Sequence, residues 1–164
     1  MINDINALRT PGALAAVAAA DAAVCLMHMQ GSPGTMQEHP RYADVVAEVK
    51  AFLQQRIDSV CAAGIALERV VIDPGFGFGK TLEHNLELLR HLSEFAALGA
   101  PVLAGWSRKS SLGQITGRPA DQRLAASIAA ALIAAQNGAA ILRVHDVAAT
   151  RDALSVLAAV ERKR

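Results

Sequence analysis

The stretch Val70 to Thr81, VVIDPGFGFGKT, constrains this chain more than any other. An apolar run, Val70 to Ile72, ends in one carboxylate, Asp73, and a Pro-Gly pair breaks it at once. That is the pattern of a buried strand delivering a single acid to the mouth of a sheet. Gly75, Gly77 and Gly79 then recur at every second position. Without Cβ atoms they permit positive φ and would let a planar ligand lie against the backbone. Lys80 and Thr81 open a helix, so the stretch reads strand, ligand loop, helix. It is not a Walker A loop: that motif requires a glycine where this chain has Pro74. An ordinary strand-to-helix turn also carries glycines. Asp73 shifts the balance towards a site, because parallel α/β folds bind ligands at the carboxyl ends of their strands.

The same alternation runs along the whole chain. Met1 to Ile5 reads as a short strand, followed by a helix over Gly12 to Ala20 with Thr10 as cap and Pro11 at its start. Ala23 to Met27 is an apolar run of strand length, and the loop His28 to Pro40 is too long and polar for mere connection. Val45, Val49, Phe52, Leu53, Ile57 and Val60 mark a helix over Arg41 to Ala63, ended by Gly64. After the organising strand come a helix over Leu82 to Ala97, a strand over Pro101 to Gly105 and a short helix from Arg108 to Ile115. A helix over Ala120 to Gln136, a strand over Ala140 to Val144 and a helix over Val147 to Glu161 complete the order.

Five consecutive βα units with apolar strands predict an α/β fold with a parallel sheet covered by helices. Two architectures satisfy the pattern, a flavodoxin-like doubly wound sheet of five strands and part of an eight-stranded TIM barrel. The 164 residues suit one domain with a substantial core. A net charge of +1 gives nucleic acid nothing to recognise. No apolar stretch reaches the roughly 18 residues that span a bilayer, and the start MINDINALR lacks a signal-peptide layout, so a cytoplasmic protein without a membrane partner is expected. Cys25 and Cys61 lack metal or redox spacing and read as two buried free thiols.

Polar residues recur at the strand ends: Asn3, His28, Asp73, Ser107 to Lys109, and Arg143 with His145. Arg143 and His145, two apart, share a face and together would offer donors to an anion such as a diphosphate; a surface arginine beside a solvated histidine is the other reading. Ser107 to Ser111 opens a helix after a strand and also favours an anion. His28 between Met27 and Met29 hints at a soft metal site, but no second cluster has ligand spacing.

Together IND at Ile2 to Asp4, VCLMHMQGSPGTMQ at Val24 to Gln37, DPGFGFGK at Asp73 to Lys80, GWSRKS at Gly105 to Ser110 and RVHD at Arg143 to Asp146 resemble dihydropteroate synthase of the folate pathway, a sulfonamide target. Trp106 departs from the methionine common in that family. The resemblance implies a TIM barrel that condenses 6-hydroxymethyl-7,8-dihydropterin diphosphate with 4-aminobenzoate, giving 7,8-dihydropteroate and diphosphate. It implies a pterin site from Asn3, Met27, Asp73, Gly105, Lys109 and Arg143, and a diphosphate site from Arg143 and His145. Phe76 would pack on the 4-aminobenzoate ring and Ser107 would meet its carboxylate. Asp73, Lys109, Arg143 and His145 would carry catalysis. The resemblance starts at the family's fourth strand, so it implies a truncated chain, one pterin-binding-type domain over residues 1–164, scarcely active alone. It also implies a Mg2+ cofactor whose ligand lies in the absent N-terminal part, and either a homodimer or a completing N-terminal segment. A non-catalytic pterin- or phosphate-binding interaction module is the alternative.

Overall fold

The computed structural model describes residues 1–162. Strands β1 (Ile2–Asp4), β2 (Val24–Met27) and β3 (Val70–Asp73) form one parallel ladder, and β4 (Leu103–Ala104) with β5 (Ile141–Leu142) forms a second. One bridge, Ile72 to Val102, joins the two, with the Ile72 amide donating to the Pro101 carbonyl at 2.9 Å. Every strand therefore lies beside its neighbour in the sequence. The doubly wound alternative needs the first strand inside the sheet, and here β1 sits at an edge.

Register sorts the side chains onto two faces. Asn3, Cys25 and Val71 are aligned, as are Met27 and Asp73, and Leu103 is aligned with Ile141. Cys25, Val71, Leu103 and Ile141 form a small apolar cluster on one face. The alternate residues Val24, Leu26, Val70, Ile72, Val102 and Ala104 point the other way, into the main core under the helices. Two residues further along the first face come Asp73, Gly105 and Arg143, so strand parity alone sends them to one rim.

The helices are α1 (Ala13–Ala19), α2 (Val45–Ala62), α3 (Leu82–Arg90), α4 (Ser110–Thr116), α5 (Leu124–Gln136) and α6 (Val147–Glu161). Helix α2 starts later than its periodicity suggests because Asp44 caps it, accepting from the Ala47 amide, while Glu48 reaches back to the amides of Ala43 and Asp44. It ends in a left-handed Gly64 with Ile65 donating to the Val60 carbonyl. The single helix expected over Leu82 to Ala97 is broken. The Asn137 side chain takes the Leu89 carbonyl, and the chain continues as a tighter 3-10 turn over Leu92–Leu98. Of the two cysteines, Cys25 is buried as expected but Cys61 is exposed on α2. Burial beside Asp73 pushes the Cys25 thiol up to about 12.

Two of the glycines after β3 serve the protein's own packing. At Gly75 (φ 73°) an added Cβ would overlap the His28 carbonyl oxygen, and at Gly79 (φ 62°) it would lie 2.5 Å from the Gln30 carbonyl. The loop after β3 is thus pressed against the loop after β2. Lys80, 3% exposed, clamps the contact: its ammonium donates to His28 Nδ1 at 2.9 Å and to the carbonyls of Phe78 and Gly75. Burial pulls Lys80 down to about 7, and burial together with the Lys80 charge pulls His28 down to about 3.

Two outcomes test this packing. Gly75→Ala should cost more than about 3 kcal/mol in urea unfolding, because overlap adds to backbone strain, whereas Gly117→Ala, with positive φ but open space around it, should cost about 1 kcal/mol. Because His28 is held neutral in the fold and protonates near 6.5 when unfolded, stability falls as pH drops from about 6.5 towards 3. His28→Asn, which keeps an acceptor beside Lys80, should flatten the urea midpoint across that window; an unchanged slope would contradict the assignment.

Candidate functional site

Asp73 closes β3 with 1% exposure, a position where a bare carboxylate is costly. Its Oδ1 accepts the Gly75 amide at 2.7 Å, and its Oδ2 lies 3.5 Å from Arg143 Nη2. Burial pushes the carboxyl upward, while the Gly75 amide, Lys109, Arg143 and Lys80 oppose it. Met27 lies beside Asp73 on β2, fully buried, and walls one side of it.

Lys109 comes from the segment between β4 and α4. Arg123 fixes that segment by donating to the carbonyls of Arg108 and Lys109, and the Arg108 amide donates to Ser127 Oγ. The Lys109 ammonium donates to the Phe76 carbonyl and sits 4.7 Å from the centroid of the Phe78 ring. Burial lowers Lys109 to about 8, with Asp73 opposing and Arg143 adding to the shift.

Arg143 and His145 follow β5. Gly105 gives the Arg143 guanidinium its slot, since an added Cβ would lie 2.8 Å from Nη2 and 3.1 Å from Nε. Ser107 Oγ lies 2.9 Å from His145 Nδ1 and accepts the His145 amide at 3.2 Å. Gly105, Ser107, Lys109, Arg143, Val144 and His145 line a cavity of about 280 Å³. Beside it Arg108 pairs with Asp146 at 2.7 Å, tying the loop after β4 to the loop after β5.

Asp73, Met27, Lys109, Gly105, Arg143 and His145 thus meet on one rim. Asn3 faces the same side but lies two strands across and two residues back from Asp73, about 12 Å away at ordinary strand spacing. One expectation is corrected. The Phe76 side chain is 1% exposed and packs on Trp106 at 5.1 Å between centroids, so it belongs to the core and cannot face a ligand ring. The Ser107 hydroxyl lies against His145, accepting its amide and standing 2.9 Å from its Nδ1. The aromatic that does reach the site is Phe78, two residues on, half-buried beneath Lys109. Lys80 has the place of a helix opener in the sequence pattern; its burial under two loops leaves no mark there.

Chemically, a buried carboxylate recognises adjacent N–H donors on a flat heterocycle. A guanidinium that is 42% exposed, with an ammonium and an imidazole beside it, draws an anion to the same place. These donors do not suit a hard cation: among the described residues no three His, Cys, Asp or Glu side chains stand together to ligate one. None of the described helices is long and apolar enough to cross a membrane.

The sequence and fold have known relatives. Residues 1–145 match the family described as pterin binding enzyme. The chain is 54% identical over 156 residues to the dihydropteroate synthase of Haemophilus influenzae, covering 95% of this chain and 57% of that protein. It superposes on the Stenotrophomonas maltophilia dihydropteroate synthase with a TM-score of 0.97 at 57% identity, covering 100% of this chain and 62% of the other. For the Xanthomonas albilineans dihydropteroate synthase in complex with 7,8-dihydropteroate the TM-score is 0.93 at 55% identity, again with 100% and 62% covered. The chain therefore spans about three fifths of the length of these relatives, in sequence and in structure alike. On its sequence match and on the strand order and rim that accompany it, this chain belongs to the pterin-binding enzyme family.

Proposed function

We propose that this chain carries the pterin- and diphosphate-gripping side of a dihydropteroate synthase site. The observation that supports it best is the meeting of Asp73 and Arg143, at 3.5 Å, beside Lys109 and next to an anion-sized cavity. In this reading Asp73 accepts from the amino and ring N–H groups of the pterin, Met27 walls the slot, and Lys109 donates to the ring carbonyl and nitrogen. Arg143 covers the ring plane and, with His145, holds the diphosphate. Phe78 takes over the 4-aminobenzoate ring from Phe76. Asn3 reaches the pterin from the far edge.

The reaction needs no protein nucleophile. The C–O bond to diphosphate breaks, the electron-rich pterin delocalises charge left on the methylene carbon, the arylamine nitrogen forms the new C–N bond, and its proton leaves to solvent. Arg143, His145 and Lys109 stabilise the departing anion, so catalysis is positioning plus electrostatics. Mg2+ would shield the diphosphate charge when bound, but the residues of this chain do not compose its site. The ordered strands with free edges at β1 and β5 support reading the one domain as a five-unit arc of an eight-stranded barrel. An arc lacks walls, which favours weak binding, and a second copy or further βα units pairing with those edges would complete it.

Calorimetry on the purified chain tests the reading with 6-hydroxymethylpterin and with pyrophosphate as probes. Both should bind with dissociation constants above about 1 μM. Asp73→Asn should weaken the pterin about thirtyfold, the cost of losing a buried charge-assisted hydrogen bond. Gly105→Ala should weaken pyrophosphate about fivefold by displacing Arg143. A chain that binds neither probe, or Asp73→Asn that binds pterin as well as the parent, would sink the proposal. Product formation from pterin diphosphate and 4-aminobenzoate separates turnover from mere binding.

A further inference from the structure

The cavity between β4 and β5 holds a contact that the family resemblance does not explain. Ser107 Oγ meets two nitrogens of one residue, the His145 amide at 3.2 Å and ring Nδ1 at 2.9 Å. Ser107 is 6% exposed, and its backbone is held between β4 and the Arg108 turn, where φ is 59°. The bond to the amide is one-way, since an N–H only donates, so Oγ uses a lone pair there and keeps its own proton to give. Nδ1 lies 2.9 Å away and the contact can run either way, but only with Nδ1 bare does the buried hydroxyl proton find an acceptor there.

We infer that Ser107 is a positioning residue that fixes His145 in the tautomer carrying its proton on Nε2. The ring then presents an N–H, not a lone pair, to the anion cavity. With the opposite tautomer a lone pair would face the anion and repel it; with the ring free to turn, the donor would be present only part of the time. Lys109 and Arg143 line the cavity with His145, and the Arg108–Asp146 pair holds the turn on its other side.

The ring state can be read without any ligand, so this test stands apart from the anion-binding reading on which only its second half rests. Nitrogen-15 spectra of the full chain labelled at histidine, at about pH 8 where an ordinary imidazole is neutral, should show His145 with a protonated Nε2 and a bare Nδ1. Ser107→Ala should give a mixture of tautomers, and Ser107→Thr should restore the single one. Amide spectra matching those of the parent identify a folded variant. Pyrophosphate should bind the alanine variant about fivefold more weakly, the size of one oriented neutral hydrogen bond, and the threonine variant as tightly as the parent. A parent ring protonated on Nδ1, or an alanine variant with the same single tautomer, overturns the inference. Failure of the parent to bind pyrophosphate counts against the proposed function instead, and the ring spectra still decide the tautomer.

Discussion

The buried carboxylate of Asp73 is the constraint around which the rest is arranged. An acid with 1% exposure needs partners on both oxygens, and it recruits them from three places: its own loop through Gly75, the loop after β4 through Lys109, and β5 through Arg143. Two of those partners are cations that would otherwise repel one another. The acid thus gathers positive charge into a small volume, and that positive charge is what an anionic ligand meets. Stability and recognition depend here on the same few atoms.

The loops are held to comparable tolerance by plain sterics. Positive φ at Gly75 and Gly79 lets two carbonyl-bearing loops touch, and the Lys80 ammonium then binds both. Holding that cation in the interior depresses its proton affinity, and the cost is offset by three acceptors within hydrogen-bond reach. The loop after β2, with His28 neutral at its base, inherits its position from this clamp.

Much of this was legible in the residues. Strand periodicity and breakers located all five strands and the βα order, and the polar residues at the strand ends placed Asp73, Arg143 and His145 on one rim, while Gly105 entered only through the family resemblance. What could not be read was which neighbour each turn would lean on. The glycines after β3 announced a close approach, but not that its object was the chain itself. Phe76 and Phe78 differ by two positions in a loop without strand geometry, so no periodicity said which turned inward. The break after Arg90 depends on Asn137, distant in sequence, and Lys80 looks like any helix-opening lysine. Local pattern reports the elements; contacts between loops set by tertiary packing escape it.

The nearest-neighbour strand order has a consequence for how such a chain assembles. Each strand pairs with the one made just before it, and the widest gap that must be closed runs from Val24 to Val70. Since closure entropy grows only logarithmically with loop length, no step waits on a remote partner. A nascent chain leaving the ribosome can add one unit at a time to a growing template, and the addition of β5, with Arg143 just after it, is the one that brings the cation to the waiting acid.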